Sequence, residues 1–193
     1  MELCAGGDLL TYVRRRGCLS EDVVRDLFKQ AVSAVHYCHR KGIIHRDIKL
    51  DNFLLDISGD NPIVKLCDFG VSKVIQEGDV MFEQCGTPAY IAPEILIGCR
   101  QGSNGYTGFS PDVWSLGVCL YALLFGTVPF KASNIEELHR MIVNGTFSLK
   151  KRQRVEKLSP SLKSLMRGLL EVNPQKRLTL DQVRSHSWFK SSE

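Results

Sequence analysis

The sequence lacks the features that mark disulfide-bonded, zinc-binding or secreted proteins. Its seven cysteines are odd in number and never form a Cys-x-x-Cys pair, which argues against a disulfide framework and against a zinc site. The first residues show no basic segment followed by an apolar one, so no secretory signal is expected. We therefore predict a reducing location, in the cytosol or the nucleus.

The chain also lacks a charge excess of either sign. It carries 25 basic and 21 acidic residues, a formal charge of +4, and this balance is too even to indicate nucleic-acid or membrane binding. One basic run, formed by Lys150, Lys151, Arg152 and Arg154, is more typical of a solvated loop than of a docking patch. Neither a nucleic acid nor a membrane is expected as a partner.

One long stretch without charge, residues 113–130, raises the question of a membrane span. Gly117, Gly126 and Pro129 interrupt it, and such residues fit a helix buried within a helical domain better than a helix facing lipid. With 193 residues and 44% apolar content, the chain can bury the core of one compact domain.

The spacing of apolar and capping residues predicts a mainly α-helical fold with one β-hairpin. Asp8 is the predicted N-cap of a short helix that Gly17 ends, and Ser20 is that of a longer helix that closes at residues 39–42. Residues 53–55 and 63–67 predict two strands joined by a turn. Further along we expect an exposed loop over 98–110, the buried helix from Asp112, an amphipathic helix begun by a capping box at Ser133 and Glu136, and helices over 161–171 and 179–185.

Three short groups of residues carry the chemistry of the sequence. They are His45-Arg46-Asp47-Ile48-Lys49-Leu50-Asp51-Asn52, then Asp68-Phe69-Gly70, then Ala92-Pro93-Glu94. Asp47 and Asn52 lie five residues apart on one loop, and Asp68 returns on the far side of the predicted hairpin, so their oxygen-bearing side chains can converge. Any one of them alone is more simply a surface acid or a loop amide, but the ordered set favours phosphoryl transfer, which needs metal ligands and a positioned hydroxyl.

In this order the three groups resemble the catalytic loop, magnesium-binding turn and activation-segment anchor of a eukaryotic protein kinase. The resemblance implies a kinase domain over residues 1–193 that consists of the C-terminal lobe only. Its hinge would be residues 1–8, its catalytic loop 45–52 and its activation segment 68–94. The implied fold is mainly α, a helical bundle with a short β-hairpin at the catalytic site.

The resemblance also implies roles for individual residues, with ATP and Mg²⁺ as cofactors. Asp47, Lys49, Asn52 and Thr87 would be catalytic, and Asn52 and Asp68 would bind the metal. Glu2, Cys4, Asp8, Leu54 and Asp68 would contact the nucleotide, Met1 would be the gatekeeper, and Leu9 would join Leu54 as the apolar floor supported by Cys119 and Leu123.

Other implied contacts connect the site to the core. Asp112 would accept backbone N–H groups of the catalytic loop, with His45 and Phe69 stacked above it, and Glu94 would pair with Arg177. Lys49, and Thr87 in Gly86-Thr87-Pro88, resemble the pattern of serine/threonine kinases. Residues 113–130 and 186–189 are most similar to the calcium/calmodulin-dependent kinase group.

Residues 74–86 contain no Ser, Thr or Tyr, so the usual activating phosphorylation cannot occur there. Glu83 stands at the matching place, and it either pairs with Arg46 and orders the segment without a phosphate or is a solvated loop acid. The expected partner is a protein substrate. Asp8 and Asp51 resemble acids that favour Arg before the acceptor, and Ala122 reduces this to a mild preference; the sequence does not indicate an oligomeric state.

No Gly-rich phosphate loop, strand lysine or helix glutamate precedes the catalytic loop in these residues. We therefore expect little activity from the chain alone, since charge stabilisation and positioning at the phosphates would be lost. The alternative function is a non-catalytic module that keeps a kinase docking surface. Measured phosphate transfer would separate the two.

Overall fold

The computed structural model of the chain describes residues 4–17, 19–59, 61–100, 102–147 and 158–190. Met1, Glu2 and the basic run at 150–154 lie outside the described residues, so their expected roles stay predictions. The described helices are α1 (Leu9–Arg16), α2 (Glu21–Arg40), α3 (Pro93–Gly98), α4 (Ser110–Phe125), α5 (Ile135–Val143), α6 (Pro160–Leu169) and α7 (Leu180–Arg184). The described strands are β1 (Ile43–Ile44), β2 (Phe53–Asp56), β3 (Ile63–Leu66), β4 (Lys73–Val74), β5 (Val80–Met81) and β6 (Tyr106–Thr107).

The first two helices begin where their capping residues predicted. The Asp8 carboxylate accepts the Thr11 N–H at 2.7 Å, and Gly17 ends α1 with a positive φ of 70°. Ser20 caps α2, whose apolar stripe faces the core from Val24 to Cys38. The positions of both helices were therefore correctly predicted from local sequence.

Helix α4 is the centre of the molecule. All of its residues from Pro111 to Phe125 are buried, and it packs against both α2 and α6. The helix ends at Phe125 rather than continuing through the uncharged run, because Gly126 adopts the left-handed conformation with φ 68°. In the described part of the chain, no helix has the length and apolar character needed to cross a bilayer.

The remaining predicted helices are present with shifted ends. The cap of α5 is Asn134, whose side chain accepts the Glu137 N–H at 2.8 Å, so the predicted capping box at Ser133 and Glu136 was wrong by one residue. Asn caps a helix at least as well as Ser, which explains the shift. Thr179 caps α7 in a complete capping box with Gln182.

Three two-stranded antiparallel sheets accompany the helices: β1–β4, β2–β3 and β5–β6. The predicted hairpin is β2–β3, in which Phe53 lies opposite Leu66 and Asp56 opposite Ile63. The loop over 98–110 was predicted to be an exposed excursion, and this was wrong in part. It contributes β6, and the ring of Tyr106 in that strand is buried.

Candidate active site

The catalytic-loop segment is held in place by hydrogen bonds to the first turn of α4. The buried Asp112 carboxylate accepts the His45 N–H at 2.8 Å and the Arg46 N–H at 2.9 Å, as the resemblance implied. His39 from α2 adds a contact of 2.8 Å between its Nε2 and Asp112 Oδ2. This role of His39 was not predicted, because its neighbours in the sequence indicate only the polar end of a helix.

The backbone of the site is strained at two residues, one in the catalytic loop and one after the hairpin. Arg46 has φ 68° and Asp68 has φ 60°, and these are the non-glycine residues with positive φ in the described ranges. Gly86 lies so close to the loop that a Cβ on it would come within 2.6 Å of the Arg46 carbonyl oxygen. The activation segment therefore packs main chain to main chain against Arg46.

Asp47, Lys49 and Thr87 meet in one hydrogen-bonded cluster. Lys49 Nζ lies 2.6 Å from Asp47 Oδ2 and donates to Thr87 Oγ1 at 3.1 Å. Thr87 donates to Asp47 Oδ1 twice, from its backbone N–H at 3.0 Å and from its hydroxyl at 2.9 Å. Thr87 thus joins Lys49, 38 positions earlier in the chain, on the carboxylate of Asp47, which lies 40 positions before Thr87.

These contacts set the charge state of the cluster. Burial alone raises the pKa of Asp47, but the hydrogen bonds from Lys49 and Thr87 outweigh it and hold the pKa below the ordinary value. The hydrogen bond to Asp47 is also the main reason why the pKa of Lys49 is raised. Both side chains are consequently charged at neutral pH.

Asn52 and Asp68 are brought to the same place by the hairpin. Asn52 is buried, and its Nδ2 donates to the Asp47 carbonyl oxygen at 2.8 Å. The main-chain carbonyl oxygen of Asn52 accepts the Cys67 N–H at 2.9 Å. Asp68 therefore directly follows a residue that is hydrogen-bonded to Asn52. His45 strengthens this connection, because its Nε2 lies 3.0 Å from the Cys67 carbonyl oxygen.

The donor set of this pair fits Mg²⁺ better than a softer metal. The hydrogen bond from Asn52 Nδ2 fixes the orientation of the amide and leaves Oδ1 as its ligand atom, and Asp68 is an exposed carboxylate. In the described ranges no group of three or more His, Cys, Asp or Glu side chains could hold a metal by itself. One or two protein oxygens completed by water and phosphate are typical of Mg²⁺ sites.

The segment before α1 runs beside β2. Gly6 donates to the Leu55 carbonyl at 2.9 Å, Leu55 donates to Gly7 at 2.7 Å, and Asp8 forms a bridge with Leu54. Cys4 and Leu54 are half-buried, so both can contact a ligand. The segment and the strand together make one wall of the site.

Asp8 and Leu9 lie where this wall meets the start of α1. Leu9 has no exposed surface, so its place in the apolar floor was wrong: the first turn of α1 points it into the core instead. Asp8 uses both carboxylate oxygens within the helix cap, on the Thr11 N–H and on the Thr11 hydroxyl. Cys119 and Leu123 are buried in α4, as expected of residues below the floor.

The aromatic pair at the loop has an edge-to-face geometry. The rings of His45 and Phe69 lie 4.9 Å apart at 61°, so the predicted stacking is an edge contact. His45 is fully buried, whereas Phe69 is 46% exposed and leaves an apolar surface at the rim.

The end of the activation segment is anchored by a buried ion pair. Arg177 donates to both carboxylate oxygens of Glu94, at 2.6 and 2.8 Å, and its side chain has no exposed surface. Ser110, which the sequence did not suggest, joins the pair through its hydroxyl at 2.7 Å from Glu94 Oε1. The predicted pairing of Glu94 with Arg177 is confirmed.

Comparison with known proteins agrees with this geometry. The protein kinase domain family matches residues 1–189. The chain is 42% identical to the Serine/threonine protein kinase OSK3 of Oryza sativa subsp. indica over 98% of the chain and 35% of that relative. It is 40% identical to the CBL-interacting protein kinase 24 of Oryza sativa subsp. japonica, covering 100% of the chain and 40% of the relative.

A third relative, the Carbon catabolite-derepressing protein kinase of Secale cereale, is 44% identical over 99% of the chain and 36% of its own length. The chain therefore spans between 35% and 40% of the length of these relatives. The family match covers nearly the whole chain and agrees with the ordered motifs, so the chain belongs to the protein kinase domain family.

Proposed function

We propose that the chain is the C-terminal lobe, over residues 1–193, of a kinase domain that transfers the γ-phosphate of ATP to serine or threonine of a protein. The observation that supports it is the Asp47 carboxylate, held by Lys49 and Thr87 beside the amide of Asn52. Phosphoryl transfer depends mainly on such positioning and on cations near the developing charge.

In this proposal Asp47 orients the substrate hydroxyl and receives its proton. Its lowered pKa keeps it ionised but makes it a weak base, so orientation is the larger contribution. This suits a loose transition state, in which the acceptor oxygen needs little activation before transfer. Lys49, bonded to the same carboxylate, places a positive charge where the transferred phosphoryl group would lie.

Nucleotide and metal would be held by the residues around this cluster. Asn52 and Asp68 would hold Mg²⁺, which when bound supplies charge neutralisation at the phosphates. Backbone groups of the wall at Cys4 would face the base, with Leu54 as its apolar contact. Asp8 would reach the ribose with lone pairs that its cap contacts leave, and Glu2 is assigned by the resemblance alone.

For the acceptor we propose a protein with a mild preference for Arg before the phosphorylated residue. Asp51 is exposed within the catalytic loop and can attract such a cation. The Asp8 carboxylate is half-buried and already engaged by Thr11, so Asp51 is the stronger candidate of the two predicted acids. The resemblance to the calcium/calmodulin-dependent group remains part of the proposal.

We also propose a reducing compartment, the cytosol or the nucleus. The described cysteines are Cys4, Cys38, Cys67, Cys85, Cys99 and Cys119, and each is a free thiol. Free thiols in this number are ordinary in a reducing setting and unusual in an oxidising one.

These 193 residues alone are proposed to transfer phosphate slowly or not at all, since the covering loop and strand lysine of a kinase are not among them. The decisive test therefore fuses a kinase N-terminal lobe before residue 1 and measures transfer from Mg·ATP to a Ser/Thr peptide. We expect Asp47→Asn to lower the rate by at least about a hundredfold, and Asp26→Asn, an exposed acid on α2, to leave it unchanged.

Three outcomes would contradict the proposal or one of its parts. Fused protein with no transfer, together with no Mg·ATP-dependent change in the NMR signals of Leu54 and Asn52, would favour the non-catalytic module. Transfer that survives Asp47→Asn would remove the assigned role of that carboxylate. A clear rate from the unfused chain, lost in Asp47→Asn, would instead show that the absent parts are dispensable.

A further inference from the structure

A short ladder fastens the middle of the activation segment to the loop before α4. Strand β5 pairs with β6, so that Val80 lies opposite Thr107 and Met81 opposite Tyr106. Gly105, with φ 73°, permits the approach, because a Cβ there would come within 2.7 Å of the Met81 carbonyl oxygen. The side chain of Met81 is fully buried beneath the ladder.

Tyr106 extends this attachment by one further contact. Its ring is 4% exposed, and its hydroxyl donates to the Glu83 carbonyl oxygen at 3.0 Å. Burial raises the pKa of Tyr106 to about 12, so the phenol remains a neutral donor over the whole physiological range. This hydrogen bond is part-buried, and because its acceptor is a main-chain carbonyl it does not depend on the charge of the Glu83 side chain.

The other contact of Glu83 is weaker. Arg46 Nη1 lies 3.3 Å from Glu83 Oε2, and the Glu83 side chain is 62% exposed. Exposed ion pairs contribute little because water and salt screen them. The part-buried hydrogen bond from Tyr106, at 3.0 Å, is therefore the stronger of the two contacts. Residues 74–86 offer no hydroxyl whose phosphorylation could add to it.

The attachment acts close to the catalytic cluster. Four residue steps separate Glu83 from Thr87, a reach of at most about 14 Å. Within that span Gly86 packs closely against the Arg46 carbonyl oxygen. Thr87 then donates twice to Asp47. Fixing the carbonyl of Glu83 therefore limits where Thr87 can lie.

We propose that Tyr106 is a positioning residue, which holds the activation segment through the Glu83 carbonyl and so keeps Thr87 on Asp47 without a phosphate. The assignment of Asp47 rests on the proposed function, but the placement of Thr87 does not. The proposal can therefore be tested on the 193-residue chain without measuring activity.

The experiment is hydrogen exchange by NMR on the wild type, Tyr106→Phe, Glu83→Gln and the control Tyr37→Phe, which removes an exposed hydroxyl from α2. The reporter is the Thr87 amide. We expect exchange in Tyr106→Phe to rise about two- to tenfold, the factor for one lost hydrogen bond. The amides of α4 should not change, and both other variants should stay within about twofold of the wild type.

Three results would overturn the proposal. Thr87 exchange within twofold of wild type in Tyr106→Phe would show that the hydroxyl holds nothing. An equal rise in the exchange rates of the α4 amides would show that Tyr106 only stabilises the core as a whole. A larger effect of Glu83→Gln than of Tyr106→Phe would give the ordering to the ion pair. In the fused enzyme, loss of the Thr87 contact should lower kcat with KM for ATP unchanged; absence of any transfer there would count against the proposed function alone.

Discussion

Removing one partner of the buried pair between Glu94 and Arg177 should be among the most destabilising single changes in this protein. The Arg177 guanidinium makes contacts of 2.6 and 2.8 Å to the carboxylate, and it donates to the carbonyl oxygens of Ser110 and Glu171 at 2.9 and 2.8 Å. The guanidinium carbon Cζ of Arg177 also lies 5.1 Å from the Trp114 ring centroid. The charge therefore has no access to water in the folded state.

The magnitude follows from this burial. Breaking a buried ion pair by removing one partner costs about 3–5 kcal/mol, because the other charge stays desolvated. In Arg177→Met the carboxylate keeps only the Ser110 hydroxyl among its side-chain partners described here, and the carbonyl acceptors lose their donor, so the full range is expected. Glu94→Gln leaves the backbone contacts of Arg177 in place, so we expect about 3 kcal/mol.

Urea unfolding followed by circular dichroism measures these differences. For a chain of this size, 3–5 kcal/mol corresponds to a fall in melting temperature of about 6–20 °C. The matched control is Asp22→Asn, which breaks an exposed contact of 2.6 Å with Arg25 and should cost less than about 1 kcal/mol. If Glu94→Gln and Arg177→Met both stayed within 1 kcal/mol of the wild type, the buried pair would not be the anchor of the segment.

Two further outcomes are expected. Burial raises the pKa of Asp47, but hydrogen bonds led by that from Lys49 lower it overall, so its stabilising contribution is present above the unfolded pKa and is lost as the pH falls through the folded one. The difference in unfolding free energy between wild type and Asp47→Asn should therefore shrink below about pH 4; a constant difference would contradict this. Gly6→Ala should lower the free energy of unfolding by about 1–3 kcal/mol, because its Cβ would lie 2.7 Å from the Leu55 carbonyl oxygen, and it should also weaken the proposed nucleotide binding. In the control Gly59→Ala the new Cβ meets nothing within 4 Å, so neither stability nor binding should change.

The parts of the fold that local sequence specifies were predictable. Asp8 and Ser20 cap their helices because each side chain can reach a backbone N–H three residues on, and that relation needs no tertiary structure. The hairpin was equally readable from two apolar runs separated by turn residues. The pairing of Glu94 with Arg177 spans 83 positions, and it was available only through the resemblance to a family.

Other features could not be predicted because tertiary packing decides them. Strands of two residues, such as β5 and β6, are too short to show an alternating pattern. Tyr106 stands among Gly, Ser and Asn, which indicate an exposed loop, and it is buried by tertiary packing of β6 against β5 and α3. Leu9 follows a cap, where an apolar side chain can face a ligand or the core, and the packing of α1 against the core decides between them.

The strained backbone of the site shows how the core determines its geometry. Left-handed φ values at Arg46 and Asp68 each cost about 1–3 kcal/mol, and contacts of the surrounding residues help to offset this cost. Asp112 compensates at the first by accepting two backbone N–H groups with a carboxylate that is 1% exposed. At the second, the chain is held one residue earlier, where Cys67 donates to the Asn52 carbonyl and its own carbonyl lies 3.0 Å from His45 Nε2. The positions of the proposed metal ligands and base thus depend on buried groups that would never touch the nucleotide.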